Sequence, residues 1–192
     1  MTHVALRLRV WWTDAMNVRW SHCVLKVRDL DKMAQFYCDA FGWKVADRGE
    51  LSPDKEIVFL SGSSTDHHQL GLTNSRAESD DTNVDHNAFR VDSIADVKDM
   101  LARMGEHPDV RYAVPVTHGN AVSVYFADPE GNGIEIFCDT PLHVPQPVIG
   151  KWDPSLSDDE ILAALEAEFG SIDGAMSMET YRAKQAEIFG EA

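Results

Sequence analysis

The chain has 192 residues, is 44% hydrophobic and carries a formal net charge of −15 at pH 7. That is enough apolar material for one domain, or two small fused modules, around a buried core. The acidity, with no visible basic patch, excludes close approach to nucleic acid or an anionic membrane surface and leaves small molecules as the expected partners.

Cys23, Cys38 and Cys138 cannot all pair within one chain and form no C-x-x-C arrangement, which fits a reducing cytoplasm. Residues 1–18 lack clean periodicity and read as an N-terminal extension. Met1 to Trp12 are apolar but broken by Arg7 and Arg9, with neither the apolar run nor the cleavage site of a signal peptide, and no membrane span is expected. From Trp20 to Val27, apolar alternation predicts a strand with His22, Val24 and Lys26 on one face and Cys23, Leu25 and Val27 on the other. A helix capped by Asp31 follows, with Met33, Phe36, Tyr37, Ala40 and Phe41 at helical spacing and Gly42 as a left-handed stop. Trp43–Arg48, Glu56–Ser61 and His67–Thr73 are three further predicted strands, separated by polar turns.

The order then repeats. A strand over 85–91 precedes a helix capped by Asp92 or Ser93, with Ile94, Val97, Leu101 and Met104 as its stripe and Gly105 as its end. Strands follow near Asp109–Pro115, Ala121–Phe126 and Gly133–Cys138, the last two joined by the turn Asp128-Pro129-Glu130-Gly131-Asn132. Each half is therefore βαβββ, over about 19–75 and 84–140. Two such modules predict an α+β fold with a curled mixed sheet around a central cavity and helices outside. Beyond residue 140, Pro141, Pro145, Pro147 and Pro154 mark an extended wrap. Ser157 and Glu160 then form a capping-box signature ahead of Ile161, Leu162, Leu165 and Phe169, with Gly170 as a stop, and a short helix is expected over Met178–Phe189. This acidic helical tail over 141–192 reads as a solvated cover or an oligomer contact.

Alternation turns His22 and His86, at equivalent offsets in the two modules, toward the cavity, and it does the same for Glu135 in the last strand. Two imidazoles and a carboxylate on neighbouring strands suit one face of an octahedron with open positions, which favours non-haem Fe(II), with Mn(II) as the substitute. Of the adjacent pair His67 and His68, one faces the cavity. His68 is chosen as the general acid/base, because leucine neighbours leave it poorly hydrated. Tyr125 should look inward with its hydroxyl as a donor to an anionic oxygen, and His118, just before that strand, is placed to bond a substrate hydroxyl at the cavity mouth.

Four stretches carry a family likeness: Ser21 to Tyr37, Asp66-His67-His68-Gln69-Leu70-Gly71-Leu72, His86-Asn87-Ala88-Phe89-Arg90-Val91-Asp92, and His118 to Phe137. Over about 19–140 the chain resembles the vicinal oxygen chelate superfamily, and more closely its single-domain type I extradiol ring-cleaving dioxygenases. The resemblance implies His22, His86 and Glu135 as Fe(II) ligands, His68 as the acid/base beside them, and Tyr125 and His118 as substrate contacts. It also implies an aromatic diol and O₂ as co-substrates, and a homo-oligomer is expected. The competing readings are a glyoxalase-type metal-dependent isomerase, which usually has a glutamate where His68 stands, a thiol transferase, which needs a basic pocket, and a metal-free small-molecule-binding resistance module.

Overall fold

The computed structural model of the protein describes residues 18–191, so the reading of the first 17 residues lies outside it. The first module runs β1 (Cys23–Lys26), α1 (Leu30–Phe41), β2 (Lys44–Ser52), β3 (Lys55–Ser61) and β4 (Leu70–Thr73). The second runs β5 (His86–Arg90), α2 (Ile94–Glu106), β6 (Ala113–Thr117), β7 (Ala121–Ala127) and β8 (Gly133–Asp139). The tail adds β9 (Leu142–His143), α3 (Asp158–Phe169), β10 (Met176–Ser177) and α4 (Met178–Phe189).

Both modules wind their strands alike, in the orders β1-β4-β3-β2 and β5-β8-β7-β6, with a parallel first pair and antiparallel pairs after it. The α+β, two-module architecture is thus as the sequence predicts. The strands are laid out as two four-stranded mixed sheets with no closed barrel. No described helix is long and apolar enough to cross a membrane.

Each helix buries its apolar stripe on one face of its own sheet. Met33, Phe36, Tyr37 and Ala40 of α1 join Leu25, Val58, Leu60, Leu70 and Leu72 in the core. Ile94, Val97, Met100 and Met104 of α2 join Val122, Val124, Phe126, Ile134 and Ile136. The two helices also meet: Lys32 Nζ lies 2.7 Å from Asp109 Oδ1, Arg103 donates to the Asp39 carbonyl, and the Phe36 ring meets His107 edge-on at 5.4 Å. With the helices sharing one core, the helix-free faces of the two sheets are the outward ones. Where the modules touch, Cys23 Sγ lies 3.8 Å from Asn87 Oδ1, its counterpart in the repeat.

Several boundaries differ from expectation, each for a local reason. Strand β1 starts at Cys23, leaving His22 just ahead of it. Asp29, not Asp31, caps α1, because its extended backbone lets Oδ1 accept from Lys32 N at 3.0 Å. Gly42 does adopt the left-handed conformation, at φ 69°. Gly105 does not end α2; the helix runs to Glu106, and His107 closes it with its N–H on the Met104 carbonyl. The chain then turns through Val110 N–H to the His107 carbonyl, so β6 begins only at Ala113. Strand β4 starts at Leu70, because Ser61 Oγ holds the preceding loop through the carbonyls of Ser63 and Asp66. In the tail, Ser157 and Glu160 form the predicted capping box, whereas the β9–β10 pairing has no cue in the sequence.

Candidate active site

On the helix-free face of the first sheet, His22 and His68 meet with ring centroids 4.2 Å apart and planes at 51°. Phe59 closes the group, its ring 4.6 Å from His68, while His67 Nδ1 lies 2.9 Å from His68 Nδ1. Gly71 lets Val24 pack close on this face, since a Cβ there would meet Val24 Cγ2 at 3.0 Å. His68 arrives at His22 by a route other than the one its neighbours suggested. Leu70 and Leu72 belong to the core on the helix side, and the irregular loop before β4 frees His68 from strand alternation. Burial, then the nearby His22 and His67, pushes the His68 imidazole below its ordinary pKa, which favours the neutral ring.

The second sheet carries a denser group. His86 opens β5 and pairs with Gly133 of β8, which sets Ala88 opposite Glu135 and brings imidazole and carboxylate to one face. His86 Nε2 lies 3.3 Å from Glu135 Oε2, and His86 Nδ1 lies 2.6 Å from Asp85 Oδ1, a carboxylate that orients the ring. Glu135 is buried at 7% exposure, and its Oε1 accepts from Ser123 Oγ at 2.7 Å. Tyr125, opposite Glu135 on the next strand β7, is held protonated: burial and the adjacent Glu135 carboxylate raise its pKa far above that of a free phenol. Its hydroxyl lies 3.1 Å from His118 Nε2, and His118 Nε2 in turn lies 3.8 Å from Glu135 Oε1.

The structure therefore gathers His86, Glu135, Tyr125 and His118 in one place and His22 with His68 in another. Among the described residues, no group of three or more His, Cys, Asp or Glu side chains converges as a metal-holding set. The pair His86 and Glu135 fits a divalent cation in donor chemistry, because a carboxylate already oriented by a hydroxyl faces an imidazole nitrogen. The third donor named from the sequence, His22, is not brought to them within one chain. Three contributors were missed: Ser123, and Val148 and Trp152 from the proline-rich wrap. Trp152 Nε1 donates to the Ser123 carbonyl at 2.8 Å, and Val148 O lies 2.7 Å from His118 Nδ1. Ser123 was legible, sharing Tyr125's strand face, but nothing in the wrap's composition points to the site.

This repeated βαβββ arrangement with histidine and carboxylate on helix-free sheet faces is that of a known class. The chain belongs to the Glyoxalase/Bleomycin resistance protein/Dioxygenase superfamily, whose model matches residues 19–136. Among its relatives is the catechol-2,3-dioxygenase of Bacillus subtilis, 32% identical over 124 residues, covering 61% of this chain and 40% of that protein. A probable lactoylglutathione lyase of Synechocystis is 28% identical over 130 residues, covering 60% of this chain and 91% of that one. The chain thus spans two-fifths of the catechol dioxygenase, and the two activities stand at similar distance. The solved glyoxylase/bleomycin resistance protein/dioxygenase domain from Frankia sp. EAN1pec shares the fold, with a TM-score of 0.51 at 22% identity over 66% of this chain and 94% of that one.

Proposed function

We propose that the protein is an Fe(II)-dependent extradiol dioxygenase that cleaves a catechol-type diol with O₂, at a site completed between two copies of the chain. The observation that carries this reading is the His86–Glu135 pair with Tyr125 and His118 beside it, lying on a sheet face that turns outward. In a homo-oligomer, the first sheet of one copy lies over the second sheet of another, and His22 supplies the remaining ligand with His68 next to it. Mn(II) suits the same oxygen and nitrogen donors.

His86 and Glu135, with His22 of a second copy, would hold a ferrous ion, which would supply Lewis-acid and redox chemistry toward a diol and O₂. The chain's own residues do the rest. Ser123 and Asp85 hold Glu135 and His86 in place, so little reorganisation is needed on binding. Tyr125 keeps its proton and donates it as a hydrogen bond to a substrate oxygen that gains charge. His68, neutral and with Nδ1 turned to His67, leaves Nε2 to carry a proton to or from a substrate oxygen. Fixing both reactants at one centre makes their encounter effectively intramolecular.

The lactoylglutathione lyase relatives favour a second reading, a glyoxalase-type isomerase on the same sheets. The two separate cleanly in one assay. Iron-loaded protein given catechol under air should form a yellow ring-opened product while consuming O₂. Isomerisation of a hemithioacetal without O₂ uptake, and no coloured product from any catechol, would replace the dioxygenase reading with the isomerase.

A further inference from the structure

His118 stands in the turn between β6 and β7 and is gripped from two sides. Its Nδ1 lies 2.7 Å from the Val148 carbonyl oxygen, and its Nε2 lies 3.1 Å from the Tyr125 hydroxyl. A carbonyl oxygen has no hydrogen to give, so Nδ1 carries the proton of this bond. In the neutral ring Nε2 is then a bare lone pair, and the Tyr125 hydroxyl donates to it. Free imidazole on a histidine side chain prefers the other tautomer, with hydrogen on Nε2. The Val148 carbonyl must therefore be held in register to reverse that preference.

Gln146 does the holding. Its Nε2 donates to the His118 carbonyl at 2.8 Å, while its Oε1 accepts from Val148 N–H at 2.9 Å. One side chain thus ties the backbone of His118 to the backbone that presents the carbonyl to its ring. Further along, Gly150 pairs with Thr117 through two bonds of 2.8 and 3.0 Å, and Trp152 donates to the Ser123 carbonyl, so the wrap is anchored beside Gln146 but not at Val148 itself. Gln146, Val148, Gly150 and Trp152 all lie beyond residue 136, where the family match ends.

We infer that Gln146 is a positioning residue: by setting the Val148 carbonyl on Nδ1, it fixes neutral His118 as the Nδ1–H tautomer and points an acceptor nitrogen at Tyr125. Resting on the proposed function, the consequence is that a substrate hydroxyl entering between the two, in place of their mutual bond, gives its hydrogen to His118 Nε2 and accepts that of Tyr125, a pairing that suits a diol with one O–H intact. The wrap is then part of the site, and not merely a cover.

The tautomer is read directly from ¹⁵N spectra of the full chain with labelled histidine, with diamagnetic Zn(II) in place of iron, at about pH 8, above the ordinary imidazole range. The His118 signals are assigned by their absence from His118→Gln. The wild-type chain should show His118 as Nδ1–H alone. Gln146→Met, which fills similar space without either bond, should shift it to a mixture containing Nε2–H, and Gln146→Asn, one methylene too short to bridge, should do the same. A wild-type ring that is Nε2–H or doubly protonated, or an unchanged Nδ1–H ring in both variants, would overturn the inference. Because this readout needs no turnover, its failure is distinct from a failure to cleave catechol.

Discussion

At His68 three neighbours act on one imidazole: His22 packs against it at a tilt, Phe59 walls it in, and His67 takes up its Nδ1. A ring so placed is neutral and has one free nitrogen, which is what a proton carrier needs. His68→Gln should retain metal and leave KM for the diol unchanged while lowering kcat by about 100-fold. Equal kcat in the two proteins, measured by O₂ uptake, would reduce His68 to a packing role. His86 and Glu135 were legible from alternation because both lie inside or at the start of regular strands, where period two holds. His68 was chosen as an inward acid/base by strand alternation, which does not govern it, since it lies in a loop shaped by the Ser61 hydroxyl and reaches His22 from there. Gln146 carried no signal, because its role depends on two backbone groups far from it in the chain.

Among the elements, α1 depends on the other module for its start. Glu130, in the turn between β7 and β8, accepts from Arg28 N at 2.7 Å and from Asp29 N at 2.8 Å, and Arg28 and Arg76 lie 3.6 and 3.8 Å from it. A carboxylate there satisfies donors at the helix entrance and complements the positive end of its dipole. Behind it, the Tyr37 hydroxyl donates to Asp128 Oδ2 at 3.0 Å in the core. Glu130→Ala strips these bonds from a site that is largely closed to water and should cost about 3 kcal/mol, or roughly 10 °C in Tm. A variant that melts with the wild type would mean that the modules are joined by the helix contacts alone. From sequence, the stretch around Glu130 read only as a turn. The caps at Ser93, Ser157 and Gly42 could be read because such signals act within four residues. The Glu130 bonds span about a hundred residues, which no local pattern reports.

For the molecule as a whole, duplication was the strongest message of the sequence, and it is realised in two sheets of identical strand order. How the modules face each other was not legible. That relation is set by α1 packing on α2 and by pairs such as Lys32 with Asp109, none of which leaves a periodic trace. Among the described residues His22 and His68 do not converge with His86 and Glu135, so under the proposed function a second copy closes the site. Mixing His22→Ala and Glu135→Ala chains, each inactive and unable to hold iron alone, tests this most directly. Refolded together, about half the dimers are mixed and each has one intact site, so about one quarter of wild-type iron content and ring-cleaving activity should return. Folded, mixed dimers that recover neither iron nor activity would contradict a site shared between chains.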